Sequence, residues 1–161
     1  FNRHPEMKLI IAPHVIDENH LVEIIRKLKR PYVRYTRADE KNVRKADCLI
    51  IDCFGLLSSI YRYGEIAYIG GGFGVGIHNT LEAAVYGIPV IFGPKYQKFQ
   101  EAIHLLEAKG GFSIKSYEEL KILLDRMLGD EDFLREAGKN AGAYVTDNAG
   151  TTDKVLGMIN F

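Results

Sequence analysis

Short apolar runs recur along this chain, separated by polar or amphipathic stretches. Residues 8–12 (KLIIA), 32–35, 48–52, 66–69, 90–92 and 112–114 have the length and the β-branched or aromatic content of strands. The stretches between them carry helical spacing. An acidic turn (Asp17, Glu18, Asn19) caps a helix through Leu28, residues 56–63 form another, and 97–109 place Phe99, Ala102, Ile103 and Leu106 on one face. Residues 38–47 are charged and read as a loop or a short helix. Three further helical stretches, 117–128, 131–145 and 151–159, show packing faces and no chemistry. Strands alternating with helices over short connections predict a Rossmann-like three-layer α/β/α domain with a parallel sheet of about six strands. The expectation is one domain over 1–161, with the polar, proline-containing 1–7 as a linker.

One stretch departs from plain core-building. Residues 66–94 read IAYIGGGFGVGIHNTLEAAVYGIPVIFGP: a strand, a glycine loop, a helix and a second strand. Gly70, Gly71 and Gly72 are consecutive, and Phe73, Gly74 and Gly76 follow. Glycine admits positive φ and lets backbone approach a ligand with no Cβ in the way. A helix expected to start at His78-Asn79-Thr80 would present unpaired amides and the positive end of its dipole beside the loop, an arrangement suited to phosphate. Asn79 and Glu82 stand three apart, hence on one face of the first turn. A carboxylate there can accept from the two hydroxyls of a ribose; the alternative is that Glu82 only caps its own helix. The loop matches neither the dinucleotide fingerprint nor the P-loop, since no lysine follows the last glycine.

Composition narrows the class. Charged residues make up 26% and hydrophobic ones 47%, ordinary for a globular chain, and no run reaches the length of a membrane span. The chain opens on Phe1 and reads as a piece of a longer protein. Net charge is zero, yet residues 1–50 hold 11 Lys and Arg against 7 Asp and Glu, chiefly through Arg26, Lys27, Lys29, Arg30, Arg34 and Arg37. These are either a solvated helix end or a rim that attracts an anion. Nucleic acid is not an expected partner, because the basic residues are not interleaved with a stacking platform. Cys48 and Cys53 flank one strand, out of disulfide reach, and are expected to be plain thiols. The histidines lack ligand spacing, so no metal site is expected. His14, just beyond the first strand, stands where open α/β sheets meet their ligands, although a solvent-facing loop histidine fits equally.

The run GGGFGVGIHNTLEAAVYGIPVIFGP resembles the signature of the Kdo transferases, which move 3-deoxy-D-manno-octulosonic acid from CMP-Kdo to lipid A precursors. The likeness extends upstream through Ile51, Asp52, Gly55, Leu57 and Tyr61 and downstream through Asn148, Gly150 and Thr151. Three positions depart from it: Ala83-Ala84 for the common Pro-Ala, Ile77 inside the usual Gly-Gly-His, and Cys53-Phe54 for Thr-x. The resemblance implies the C-terminal, donor-binding half of a GT-B glycosyltransferase. It implies a metal-independent, inverting reaction without cofactor, with CMP-Kdo bound by Gly70, Gly71, Gly72, Phe73, Gly74, Gly76, His78, Asn79 and Glu82, and His14 carried over from the family's polar strand end. Lys95 and Gln97, after the Gly-Pro stop, are either surface residues or partners of the Kdo carboxylate. Asp52 is either a helix cap or a neighbour of the base. The general base and the lipid A precursor site are expected in an N-terminal half, in a protein associated with the cytoplasmic face of the bacterial inner membrane; this piece by itself is expected to be soluble and inactive. Two other readings remain: a GT-B enzyme using a UDP-sugar, whether transferase or epimerase, and a non-catalytic nucleotide-binding domain.

Overall fold

The alternation of strands and helices is what the structure, a computed structural model describing residues 1–149, displays. The helix expected over 151–159, and Gly150 and Thr151 of the closing motif, lie outside the described residues. The described chain divides into two compact units, one over Phe1–Ile60 and one beginning at Tyr61.

In the first unit, β1 (Leu9–Ile11), β2 (Tyr32–Arg34) and β3 (Cys48–Ile50) form a parallel sheet in the order β1-β3-β2. Helix α1 (Glu18–Lys27) starts as expected at Asp17, whose carboxylate accepts from the His20 amide at 3.1 Å. It packs Leu21, Ile24 and Ile25 against Cys48 and Ile50 of the central strand. The charged stretch contains α2 (Glu40–Val43), one turn fixed by a reciprocal capping box between Asp39 and Asn42. A further turn, α3 (Leu57–Ile60), follows β3.

In the second unit, β4 (Ala67–Ile69), β5 (Val90–Phe92) and β6 (Gly111–Ser113) are parallel in the order β4-β5-β6. Central β5 is buried on both faces, the mark of a covered parallel sheet. Val90 and Phe92 pack with Ala83 and Ala84 of α4 (Leu81–Ala84), Ala102 and Leu105 of α5 (Gln100–Glu107) and Ala141 of α7 (Glu131–Asn148). Ile91, facing the other way, meets Met127 and Leu124 of α6 (Tyr117–Gly129), with Phe133 and Leu134 of α7. This unit has the three layers expected.

The six expected strands are present, but they form two sheets of three rather than one sheet of six. Each central strand, β3 and β5, has both of its edges taken within its own unit. Each strand is only three residues long: β1 to β4 are shorter than their apolar runs, β2 because Tyr35 is taken into a 3-10 turn over Tyr35–Arg37, while β5 and β6 match theirs in length.

Candidate functional site

The glycine loop leaves β4 at Ile69 and runs to Ile77. Gly71 holds φ at +87°, and a Cβ there would overlap the Gly76 carbonyl oxygen, so only glycine closes this turn. Gly72 is pressed backbone to backbone against Gly93, at the end of β5; a Cβ on Gly72 would lie 2.6 Å from the Gly93 nitrogen. Internal bonds shape the rest. The Gly74 amide donates to the Gly71 carbonyl at 2.8 Å, the His78 amide donates to the Gly70 carbonyl at 3.3 Å, and the Lys95 amide donates to the Gly72 carbonyl at 3.0 Å. The Gly70, Gly71 and Gly72 carbonyls are thus engaged, while Phe73 and Val75 are exposed residues whose amides meet no acceptor among the described residues. The loop tip thus keeps two donors, one on each side of the paired Gly74 amide, that an anion can use.

Beyond the loop the structure corrects one expectation. Residues 76–79 are not helical, and α4 is a single turn that begins at Leu81 with Thr80 as its N-cap, whose side chain makes no capping bond. The reason is local: Asn79 accepts from the Leu81 amide at 2.9 Å through its side-chain oxygen, an Asx-type turn that competes with the helix. So short a helix has little macrodipole, and anion attraction there falls to the loop amides. The expected Asn79–Glu82 juxtaposition does form, with the Asn79 amide group donating to a Glu82 oxygen at 3.2 Å. Glu82 does not cap its own helix, and its second carboxylate oxygen has no protein donor among the described residues. Tyr61 stands near it: burial and then the Glu82 charge push the Tyr61 phenol above its ordinary pKa.

The run 77–81, with Phe99 and Glu101 of the next helical region, lines an open cavity of about 350 Å³. His78 and Asn79 therefore meet at one cavity beside the loop, and the His78 ring lies against Gly71. Phe99 and Glu101 were not among the site residues read from the sequence: helical spacing put Phe99 in the core, and nothing in the local pattern marked Glu101. The side chains of Lys95 and Gln97 are turned to backbone, Lys95 to the Gly74 carbonyl at 2.7 Å and Gln97 to the Pro94 carbonyl at 2.8 Å.

In the first unit, His14 is exposed beyond the carboxyl end of β1. Asp52, at the same end of β3, does not cap α3. Its side chain, only 1% exposed, accepts from the Thr36 amide at 2.9 Å, the Thr36 hydroxyl at 2.6 Å and Arg34 Nε at 2.8 Å. Burial pushes its pKa up, but the Thr36 and Arg34 bonds outweigh burial and hold it at about 2. Arg34 also grips both oxygens of Glu18, and Arg30 donates to Asp47 at 3.2 Å, so two of the six basic residues noted in this third are tied down internally.

No protein-family model matches the chain. Over 124 residues, 76% of its length, it is 36% identical to a 3-deoxy-D-manno-octulosonic acid transferase of Aquifex aeolicus, of which it covers 34%. It is 34% identical, over 70% of its length, to a protein of the same name from Rickettsia bellii, of which it covers 28%. Among solved structures it resembles the C-terminal CMP-Kdo binding domain of WaaA from Acinetobacter baumannii, with a TM-score of 0.69 at 19% identity, over 82% of this chain and 70% of that one. That likeness establishes the fold. The chain is homologous to Kdo transferases over most of its length and spans about a third of theirs.

Proposed function

We propose that this chain is the donor-binding part of a Kdo transferase. CMP-Kdo sits with its phosphate at the Phe73 and Val75 amides of the glycine loop and its ribose hydroxyls on the open oxygen of Glu82. One observation carries the reading: a carboxylate held by Asn79, with one oxygen unused, stands in the single turn that follows a loop whose Gly70, Gly71, Gly72 and Gly74 carbonyls are engaged while its Phe73 and Val75 amides are not. Loop amides and the nearby His78 stabilise the charge that grows on the departing CMP phosphate, so the chain's own donors do what a divalent cation does elsewhere. No step then requires a metal or cofactor. The lipid A precursor is bound by another part of the whole protein, which works at the cytoplasmic face of the inner membrane, and its deprotonated hydroxyl attacks the Kdo anomeric carbon with inversion as CMP leaves.

The test is calorimetric titration of the chain with CMP, UMP and UDP, alongside Glu82→Ala. Preference for CMP is expected, with an affinity loss of roughly tenfold or more in the variant, the worth of a charge-assisted hydrogen bond. Preference for UDP would transfer the chain to a UDP-sugar enzyme. A folded wild-type chain that binds none of the three would overturn the donor reading.

A further inference from the structure

Two bonds from one residue reach into the glycine loop from outside it. Lys95 follows the Gly93-Pro94 stop. Its backbone amide donates to the Gly72 carbonyl at 3.0 Å, and its ammonium donates to the Gly74 carbonyl at 2.7 Å. In a trans peptide the carbonyl and the following amide point in opposite directions, and no cis bond occurs among the described residues. The Gly72 carbonyl shares its plane with the Phe73 amide, and the Gly74 carbonyl shares its plane with the Val75 amide. Pulling both carbonyls toward Lys95 therefore turns both amides away from it. These are the same two amides that lack an acceptor among the described residues.

We propose that Lys95 is the positioning residue of the anion site, aiming the Phe73 and Val75 amides at the donor phosphate through its grip on Gly72 and Gly74. This rests on the donor reading above. It differs from a role in contacting the sugar, because the ammonium is engaged with the loop's own backbone. The Lys95 side chain is exposed, so its replacement removes a charge-assisted bond without opening the core. The bond from its backbone amide survives the side-chain substitutions tested below, so the Gly74–Val75 plane is the one released.

The experiment compares CMP with cytidine, which lacks the phosphate, on wild type, Lys95→Met and Lys95→Arg. Wild type is expected to favour CMP. Lys95→Met is expected to lose about tenfold in CMP affinity while holding cytidine unchanged, and Lys95→Arg to recover most of the loss. In nitrogen-15 spectra of the ligand-free proteins, the Val75 amide resonance is expected to shift in Lys95→Met and return toward wild type in Lys95→Arg. Lys95→Gln replaces Lys95→Met should the latter not fold. A CMP-to-cytidine ratio unaltered by the substitution, or a Val75 amide that does not move, would overturn the role of Lys95 and leave the donor reading standing. A wild-type chain that does not favour CMP over cytidine would overturn both.

Discussion

Asp52 shows how much a single side chain can hold. It is buried, ionised and surrounded by Thr36 and Arg34 at the carboxyl ends of two strands. Its folded pKa of about 2 lies below the ordinary aspartate value of about 3.9. The sign follows: the folded state binds its proton less readily than the unfolded state does. The stabilisation is therefore complete above about pH 4 and is lost as pH falls through about 2. Asp52→Asn is expected to cost about 1–3 kcal/mol at pH 7 in urea unfolding, and the gap from wild type should narrow between about pH 4 and pH 2. A gap that does not change with pH would mean the carboxylate's charge is irrelevant. The two thiols are separable in the same way. Burial raises the Cys48 pKa to about 11, against a smaller opposing effect of Arg30, while Cys53 is half-buried. A thiol reagent at pH 8 is expected to label Cys53 in the native chain and to reach Cys48 only after denaturation, as peptide mass mapping would show.

At the scale of elements, the contact between Gly72 and Gly93 joins the loop to the end of β5. Gly72→Ala would drive a methyl into the Gly93 backbone, and backbone cannot yield as a rotamer can. A loss of about 2 kcal/mol or more is expected, in line with overpacked sites, visible as a lower thermal midpoint; an unchanged midpoint would mean that the loop is not anchored there. The sequence made this loop legible because five glycines within seven positions have few uses other than close approach. The Asn79–Glu82 pair was legible from spacing alone, although Asn79 stands before the one-turn helix and meets Glu82 from the Asx-type turn that leads into it. The start of that helix was misread because Asn79 serves equally as a cap and as a turn former. The split into two sheets could not be read at all, since which edge a three-residue strand pairs with depends on tertiary placement and leaves no mark on its own residues. The aim of the Phe73 and Val75 amides was hidden for a related reason: it is set by Lys95, 21 positions beyond Gly74.

For the molecule as a whole, the proposed chemistry constrains where the remaining group must stand. In an inverting displacement the acceptor oxygen attacks from the side opposite the leaving phosphate, and its general base must be on that side too. A chain that receives the phosphate on its own glycine loop presents that loop to one face of the sugar, so under this proposal the base stands across the sugar from the loop. No helix among the described residues is long and apolar enough to cross a membrane. The expected outcome is a separation of binding from turnover. The 161-residue chain should bind CMP within about tenfold of the whole protein, yet release no CMP from CMP-Kdo when given acceptor, whereas the whole protein should do both. The check is CMP release, followed chromatographically, set against calorimetric affinity in the same preparations. Transfer by this chain alone would overturn the division, and Glu101, the carboxylate that lines the cavity beside Phe99, would then be the first residue to replace.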